Sequence, residues 1–392
     1  MQVVVTGIGL VSSLGNSLET SWQNLIYGKS GIKLCQPFLK HEAHGDALLP
    51  PRPLALIAQQ PANLTKLTRL VVASALKDAR LTPPLQDCGV VIGSSRSYQA
   101  DWEQLARQMH GSKPLLNNRQ VGLEQWLDTL PHTNAIAAAR QIGSNGQVLA
   151  PMAACATGIW AIAWGAYLVE SGQCERVIAG AVETPITPLT LAGFQQMGAL
   201  ARKGAYPFDR HREGLVLGEG ATLLVLESFQ SARNRAAKVY GQILGFGLTN
   251  DAYHAIRPEP EGKSAIAAVN QCLERSNLAL ADINYIHAHG TATQLNDKHE
   301  AQLIRHLFPQ GVPVSSTKGA TGHTLGASGA LGAAFCLMAL QDQIMPPCVG
   351  LQTPEFDLDL VSAARRGEIK QVLCFSFGFG GQNAVLALGR RE

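Results

Sequence analysis

Charge is scarce in this sequence and carries no strong sign. Of its 392 residues, 16% are charged, the formal net charge is +3, and no long basic or acidic run occurs. Proteins that bind nucleic acids through phosphate contacts usually present a clustered basic face. The composition therefore gives no support to that class, and we predict no nucleic-acid partner.

Closely spaced cysteine pairs are also missing. The eight cysteines are scattered along the chain, at positions 35, 88, 155, 174, 272, 336, 348 and 374. Zinc sites and disulfide frameworks need short, paired spacings, and scattered thiols are typical of reduced cytosolic proteins. We therefore predict free thiols, no zinc site and a cytoplasmic location.

Long hydrophobic runs and targeting signals are lacking as well. The longest apolar helical stretches, residues 159–169 and 327–340, are too short and too rich in glycine and alanine for a bilayer span. Residues 1–7 predict a β-strand that ends in glycine, not a signal peptide. We expect no membrane association and interpret both apolar stretches as buried central helices.

Neither of two common nucleotide-binding motifs is complete. The N-terminal Gly7-x-Gly9 lacks the third glycine of a dinucleotide fingerprint, and no ribose-binding acid follows it. The glycine-rich segment around Lys318 lacks the residue order of a phosphate-binding P-loop. Nucleotide binding is therefore not predicted.

Apolar residues and glycine are abundant instead. Hydrophobic residues make up 46% of the chain, and it contains 39 glycines. Predicted strands and helices alternate on both sides of residue 240, a pattern typical of α/β proteins. We predict an α/β fold with two similar halves, residues 1–240 and 241–392.

One short segment has the composition of a reactive site. Cys155 follows an apolar, strand-like run (residues 146–154) and precedes an Ala-rich helix, with Ala156 and Gly158 beside it. A helix N-terminus lowers the pKa of a nearby thiol, and small neighbours permit close approach by a substrate. Free cysteines are also among the most buried residues, so the local sequence leaves a purely structural role open.

Three further segments have the composition of catalytic loops. His289 follows a predicted strand, Lys318 and His323 lie in a glycine-rich stretch before a small-residue helix, and Phe379 lies in a glycine-rich turn. His287-x-His289 could contact a metal, but no third ligand has suitable spacing, so we predict no metal site. A cysteine with distant histidines is the arrangement of covalent acyl chemistry.

Taken together, these segments resemble the β-ketoacyl-acyl-carrier-protein synthases of the KAS I/II type, the condensing enzymes of fatty-acid and polyketide assembly. The motifs that carry the resemblance are Val3-Val-Val-Thr-Gly-Ile-Gly, Ala154-Cys-Ala-Thr, Pro207-Phe-Asp-Arg-His-Arg-Glu-Gly-Leu-Val-Leu-Gly-Glu-Gly, Asp251-Ala-Tyr-His, His289-Gly-Thr-Ala-Thr, Lys318-x-x-x-Gly-His323 and Gly378-Phe-Gly-Gly. It covers residues 1–31 and about 146–390 well, and 32–145 poorly. It implies a thiolase-like fold, in which two similar α/β halves form αβαβα layers.

The resemblance also implies a role for each matched residue. Cys155 would take the acyl chain from its carrier as a thioester, and His289 and His323 would bind the malonyl thioester carbonyl and promote decarboxylation. The backbone N–H groups of Cys155 and Phe379 would form an oxyanion hole, and Phe379 would gate the acyl chain. The remaining roles are electrostatic organisation by Lys318, hydrogen bonds to the pantetheine arm by Thr291 and Thr293, and lining of the chain pocket by Phe194.

The implied reaction needs a carrier protein. Both substrates would arrive on the phosphopantetheine of acyl carrier protein, so the resemblance implies no further cofactor. The carrier is acidic in this family, and Lys66, Arg69 and Arg202 are candidates for a basic docking surface, with ordinary solvated charge as the alternative for each. Family members are dimers, which implies a homodimer here or a heterodimer with a related synthase-like subunit.

Four positions depart from the family pattern. They are Gly332 in place of glutamate, His287 and Phe375 in place of asparagine, and Gln382 in place of threonine. The region 32–145, which contributes to the dimer interface and chain pocket in this fold, is also shorter and dissimilar. A specialised synthase for an unusual fatty acid, polyene or polyketide-like chain is therefore an alternative to the housekeeping elongation enzyme.

Two other functions compete with an active synthase. A chain-length-factor-like partner is a catalytically dead synthase that pairs with an active one, but such partners lack the nucleophilic cysteine that this chain keeps. A coenzyme A-dependent thiolase places a second catalytic cysteine in the last glycine loop, where this chain has Phe379, with Cys374 five residues earlier. We therefore predict an acyltransferase that condenses a Cys155-bound acyl chain with malonyl carrier protein in a decarboxylative Claisen reaction.

Overall fold

The computed structural model describes residues 1–36, 51–110 and 126–391. The strands are β1 Val3–Ser12, β2 Lys33–Cys35, β3 Arg52–Leu54, β4 Cys88–Gly93, β5 Val148–Leu149, β6 Arg176–Glu183, β7 Gly220–Ser228, β8 Gly241–Asn250, β9 Tyr285–His287, β10 Pro313–Ser315, β11 Ile344–Met345, β12 Asp359–Leu360, β13 Arg365–Arg366, β14 Gln371–Gly378 and β15 Gln382–Gly389. The α-helices are α1 Leu18–Ile26, α2 Leu64–Asp78, α3 Gln99–His110, α4 Thr133–Ile142, α5 Thr157–Glu170, α6 Pro188–Gln196, α7 Phe229–Asn234, α8 Lys263–Ser276, α9 Gln294–Leu307, α10 Lys318–Thr321 and α11 Ser328–Asp342.

Eleven of these strands pair in one hydrogen-bonded sheet, in the order β12-β10-β9-β14-β15-β8-β1-β7-β6-β4-β5. From β1 toward one edge, β7 and β6 pair in antiparallel fashion, and β4 and β5 follow in parallel. From β8 toward the other edge, β15 and β14 pair in antiparallel fashion, and β9 and β10 follow in parallel. The same order of pairings thus occurs twice.

The two sets of strands meet where β1 pairs with β8 in antiparallel fashion. Every strand of the first set precedes residue 240, and the second set begins with β8 at Gly241. The division into halves at residues 1–240 and 241–392 remains our proposal, and the repeated order of pairings supports it.

Two apolar helices, α5 and α11, lie between the two sets of strands. Each contacts strands of both sets as well as the other helix, whereas α2 packs on β1 and β7 and α8 packs on β8 and β15. An alanine- and glycine-rich helix suits such a position because small side chains let it pack against neighbours on several sides. The layers therefore follow the order helix, first set of strands, central helices, second set of strands, helix, with the two sets joined through β1 and β8.

One segment of the described chain, Leu325–Asp342, is long and apolar enough to cross a membrane by length and hydropathy alone. This differs from the expectation that residues 327–340 are too short, because a 3₁₀ turn at Leu325–Ala327 extends the apolar stretch. In this fold 83% of the segment is buried inside the protein. It is a core helix, as the sequence predicted.

The strand predicted over residues 146–154 is much shorter in the structure. Only Val148–Leu149 pairs, on the outer edge beside β4. Pro151 follows closely, and because proline has no backbone N–H it cannot continue the hydrogen-bond ladder. The chain therefore leaves the sheet before it reaches Cys155.

Candidate active site

Cys155 lies in a tight turn directly before α5. Ala154 has a φ of +47°, Ala156 caps the helix, and Cys155 itself is 7% exposed. A Cβ built at Gly158 would lie 2.6 Å from the backbone nitrogen of Ala330 in α11, so the glycine permits close contact between the two central helices. The small residues that the sequence indicated around Cys155 thus serve helix packing as well as access.

His289 and His323 converge on Cys155. The ring centroids of the two histidines are 5.3 Å apart, with planes at 82°. One side-chain nitrogen of each histidine and the Cys155 sulfur all lie within 4.8 Å of one another, and all three side chains are buried. Two histidines more than 130 positions beyond Cys155 in the chain therefore form one compact cluster with it.

Glu300 on α9 holds the His289 loop in place. Its carboxylate accepts hydrogen bonds from the backbone N–H groups of His289, at 2.6 Å, and Gly290, at 2.7 Å. On the opposite side, the Lys318 ammonium donates to the His289 carbonyl oxygen. The backbone that carries His289 is therefore fixed by one acidic and one basic side chain, both buried.

His323 is held by α11 and by the segment that precedes β7. Its Nδ1 atom is 2.9 Å from the Ser328 hydroxyl oxygen at the start of α11. Its backbone N–H donates to the Val216 carbonyl at 2.6 Å. These contacts orient the ring, and no hydrogen bond to its Nε2 atom occurs within the described residues.

Burial and nearby positive charge keep both histidines neutral. Desolvation lowers the pKa of His289 and of His323 well below 6.5, and the Lys318 charge lowers both further. Burial also lowers the pKa of Lys318 itself. The Nδ1 atom of His289 is buried without a hydrogen-bond partner among the described residues. A neutral imidazole with unused hydrogen-bonding capacity can bind a substrate oxygen.

The expectation of a low pKa at Cys155 is wrong for the structure as it stands. Burial raises the pKa of the thiol to about 11, while Lys318, Arg96 and the backbone N–H of Phe379 act in the opposite direction. Desolvation disfavours the thiolate more than these groups favour it. The thiol is therefore protonated at neutral pH, and its proton must pass to a neighbouring base during attack.

The predicted gating and lining residues surround a cavity of about 100 Å³ in front of the cluster. Phe379, at the tip of the β14–β15 hairpin, is 37% exposed and stacks on Phe194 at 6.1 Å between ring centroids. The backbone N–H of Phe379 faces the Cys155 sulfur. Thr291 and Thr293 also line the cavity, and their hydroxyl groups are 2.9 Å apart.

The three candidate docking cations are all exposed but lie in different places. Arg202 lines a second cavity, of about 650 Å³, which shares Leu215 with the cavity in front of Cys155. Lys66 and Arg69 lie on α2 and line neither cavity. The structure thus brings Arg202, and not the other two, to the neighbourhood of the site.

Several buried charges near the site gave no signal in the sequence. Glu183, at the end of β6, is completely buried and accepts hydrogen bonds from the loop after β4 and from the Gly326 N–H at 3.0 Å. Asp297, on α9, accepts from the Phe208 N–H at 2.8 Å. Like Glu300, each of these acids lies outside any recognisable motif. The one signal in the sequence is that Asp297 lies three residues before Glu300, which places both acids on the same face of α9.

The departures at positions 287 and 332 meet behind the active site. His287 is buried, with Nε2 3.1 Å from the Thr317 hydroxyl and Nδ1 3.8 Å from the Cys374 sulfur. Contrary to the spacing argument, the fold supplies His287 with two further potential metal ligands, Cys336 and Cys374, within 4.8 Å. We keep the prediction that the protein has no metal site, because core packing explains the position of Cys374 inside β14.

The other two departures, Phe375 and Gln382, contribute to packing and to strand pairing. Phe375 is 2% exposed and packs against Phe377 at 5.7 Å, and Phe377 in turn contacts the His289 ring at 6.0 Å. Gln382 begins β15 and pairs with Gly378 and Asn250 through its backbone. Phe375 therefore packs against the aromatic ring that contacts His289, at a position where the resemblance implies an asparagine.

The chain matches the two domain models of the β-ketoacyl synthases. The N-terminal domain model matches residues 55–232, and the C-terminal domain model matches residues 240–352. The first match includes residues 55–145, where the motifs gave poor support. Together the matches cover more than half of the chain.

Individual relatives extend over the full chain. A 3-oxoacyl-acyl-carrier-protein synthase 2 from Staphylococcus aureus is 32% identical over 421 residues, which cover 100% of this chain and 99% of that protein. A chain from the complex of a type II polyketide acyl-carrier protein with its ketosynthase, bound to a hexaketide, superposes with a TM-score of 0.92 at 26% identity, covering 100% of this chain and 99% of that one. The ishigamide ketosynthase/chain length factor gives a TM-score of 0.88 at 26% identity, with coverage of 100% and 99%.

These matches confirm the predicted thiolase-like α/β fold and the resemblance that the motifs carried. The chain belongs to the β-ketoacyl synthase family.

Proposed function

We propose that this chain is an active 3-oxoacyl-acyl-carrier-protein synthase. The observation that carries the proposal is the convergence of Cys155, His289 and His323 within 4.8 Å, beside the buried Lys318. A sulfur nucleophile next to two neutral imidazoles can perform both acyl transfer and enolate stabilisation. The reaction is decarboxylative condensation of an acyl chain on Cys155 with a malonyl thioester.

In the first half-reaction Cys155 takes the acyl chain. The thiol proton passes to a nearby histidine nitrogen, and the sulfur bonds to the acyl carbonyl carbon. The bond from that carbon to the carrier sulfur then breaks, and the carrier thiolate takes up the proton. Negative charge that develops on the acyl oxygen faces the backbone N–H groups of Cys155 and Phe379, which typically contribute about 3–4 kcal/mol in such oxyanion holes.

In the second half-reaction the malonyl group loses carbon dioxide. The bond between its α-carbon and its carboxylate breaks, and the electron pair forms an enolate whose oxygen accepts hydrogen bonds from His289 and His323. The α-carbon attacks the Cys155 thioester, the carbon–sulfur bond breaks, and the Cys155 thiolate regains a proton from water. The low pKa values of the two imidazoles suit this role, because they donate hydrogen bonds without carrying charge.

The proposed reaction also defines the partners. Acyl carrier protein would deliver both substrates, so no cofactor beyond its phosphopantetheine is needed, and Arg202 is the candidate docking cation that lies beside a cavity of the site. A dimer, either of two identical chains or with a chain-length-factor-like subunit, is part of the proposal. The pairing of a ketosynthase with such a subunit in a structural relative supports the second arrangement. We place this activity in the cytoplasm.

Intact-mass spectrometry tests the proposal directly. The protein, alone and with its dimer partner, is incubated with a panel of acyl-carrier-protein thioesters and then with malonyl carrier protein. We expect acylation of the wild type, none of Cys155→Ala, and a product two carbons longer. If the folded, partnered protein forms no adduct with any primer, the active-synthase proposal fails and the non-catalytic partner function replaces it.

A further inference from the structure

Arg96 lies in the loop that follows β4, and Glu183 fixes that loop. The Glu183 carboxylate accepts hydrogen bonds from the backbone N–H groups of Ser95, at 2.7 Å, and Arg96, at 3.0 Å. It also accepts from the hydroxyl groups of Ser94, at 2.8 Å, and Ser95, at 2.6 Å. The backbone of Arg96 is therefore held in one position by a buried acid.

The Arg96 side chain reaches the acyl side of the active site. Its guanidinium carbon lies 5.7 Å from the centroid of the Phe194 ring. Phe194 stacks on the gating Phe379 and lines the cavity that contains Cys155. The charge of Arg96 is close enough to Cys155 to lower the pKa of its thiol. A cation thus lies along the aromatic wall next to the nucleophile.

The guanidinium has hydrogen-bond donors that the surrounding protein does not use. Its Nε atom is buried without a hydrogen-bond partner, and within residues 1–36, 51–110 and 126–391 the side chain forms no ion pair. Glu183, the nearest acid by its contacts, already accepts from the Arg96 backbone rather than from its side chain. The Arg96 side chain is partly exposed, so water can serve its other donors, but a buried donor such as Nε is almost always paired and here has room for an acceptor from elsewhere.

We propose that the Arg96 guanidinium binds an oxygen acceptor, a keto or carboxylate oxygen, carried by the acyl chain on Cys155. The protein then prefers oxygenated acyl chains to saturated alkyl chains of equal length. An alkyl chain would displace water from the guanidinium without offering it an acceptor, and sites built to form hydrogen bonds reject analogues that lack the partner. This inference rests on the proposed synthase function and specifies its substrate class.

Three eight-carbon acyl carrier proteins provide the test. One carries a saturated chain, one a keto group near the far end, and one a terminal carboxylate. The rate of Cys155 acylation is followed by intact mass for the wild-type dimer and for Arg96→Leu, Arg96→Lys and Arg140→Leu. Arg140 is an exposed arginine at the end of α4 and serves as the matched control for loss of one positive charge.

We expect the wild type to acylate with at least one of the oxygenated chains about tenfold or more faster, in kcat/KM, than with the saturated chain. Arg96→Leu should remove or reverse that preference, and Arg140→Leu should keep it. Arg96→Lys should retain more of a preference for the carboxylate than for the keto chain, because lysine keeps the charge but loses the planar donor fork. A preference confined to the carboxylate would identify a charged acyl group as the ligand.

Several results would overturn the inference. If the wild type reacts at equal rates with all three chains, the proposed preference for oxygenated chains is wrong, while the synthase function is unaffected. An equal loss with all three chains in Arg96→Leu, or the same change in Arg140→Leu, would assign the effect to folding, subunit pairing or general charge. Failure of every chain to acylate Cys155 would instead contradict the synthase function itself. The wild-type comparison decides the question even if Arg96→Leu does not fold.

Discussion

The imidazole ring of His287 occupies the space that a side chain at Gly332 would need. A Cβ built at Gly332 lies 2.8 Å from Cε1 of His287 and 3.0 Å from the Cys374 sulfur. The departures at positions 287 and 332 are therefore linked, because the His287 ring on β9 leaves no space for a side chain at position 332 on α11. The missing glutamate is replaced in space by a histidine that reaches Thr317, next to Lys318.

Gly332→Ala should destabilise the protein. Alanine favours a helix interior over glycine by about 1 kcal/mol, but insertion of a methyl group into a packed core costs about 1–3 kcal/mol. We expect a lower free energy of unfolding in urea. The matched control is Gly193→Ala in α6, where a Cβ would meet no atom within 4 Å and where the change should be neutral or stabilising. Equal effects at both positions would contradict the contact with His287.

The link between the two positions predicts coupling between their variants. Gly332→Glu alone should be strongly destabilising, and His287→Asn should relieve much of that loss because it removes the ring. Residues in contact show interaction free energies of about 0.5–3 kcal/mol in double-mutant cycles. Urea unfolding of the single variants and the double variant measures this term. Additive effects would mean that the two side chains do not share the space.

The protonation of Cys155 can be measured by its alkylation. Because burial raises the pKa of the thiol to about 11, the thiolate fraction should rise about tenfold for each pH unit throughout the neutral range. We expect the rate of iodoacetamide modification, followed by intact mass with Cys155→Ala as reference, to keep rising beyond pH ~9. A plateau near neutral pH would show instead that the helix N-terminus and Lys318 outweigh desolvation.

The low pKa values of the two histidines predict that malonyl decarboxylation stays active to an unusually low pH. The pKa values of His289 and His323 lie well below 6.5, so acid should inactivate decarboxylation only when the pH falls well below that value. Lys318→Met removes a neighbouring positive charge and should move this inactivation to higher pH, besides slowing the reaction. Lys298→Met, an exposed lysine on α9, should leave the midpoint unchanged. The midpoint of malonyl decarboxylation against pH is the measurement.

Glu300→Gln should damage catalysis through the position of His289. The carboxylate accepts from two backbone N–H groups, and an amide can offer only one oxygen. Leaving a buried donor unpaired costs about 1–3 kcal/mol, so we expect lower stability and a fall in kcat of about tenfold or more. Glu274→Gln, on the exposed side of α8, is the control. Wild-type kcat in Glu300→Gln would show that the loop is positioned without it.

The sequence indicated Cys155, His289, His323 and Phe379 because each lies in a local pattern of glycine and other small residues. A fold of this class brings loops at the ends of strands together. The pairing order of the strands and the contact between α5 and α11 lie beyond local patterns, since they depend on residues far apart in the chain.

The sequence did not indicate Glu183 and Glu300 individually, because each looks like an ordinary charged residue and only the fold shows that it is buried. Arg96 was missed too, because its position beside Phe194 depends on the fold. The pKa of Cys155 was misjudged for the same reason. The helix N-terminus is visible in the sequence, but the degree of desolvation depends on how the surrounding loops close over the thiol.

The close contact between α5 and α11 also determines which parts of the site can adapt. Cys155 precedes one helix and His323 is hydrogen-bonded to the first residue of the other, while Gly158 lets the helix backbones touch. The distance between Cys155 and His323 therefore depends on the packing of these two core helices. Acyl chains of different shape can therefore be accommodated by changes in the Phe379 hairpin tip and in the loop that contains Arg96, without any change in the packing of the two helices.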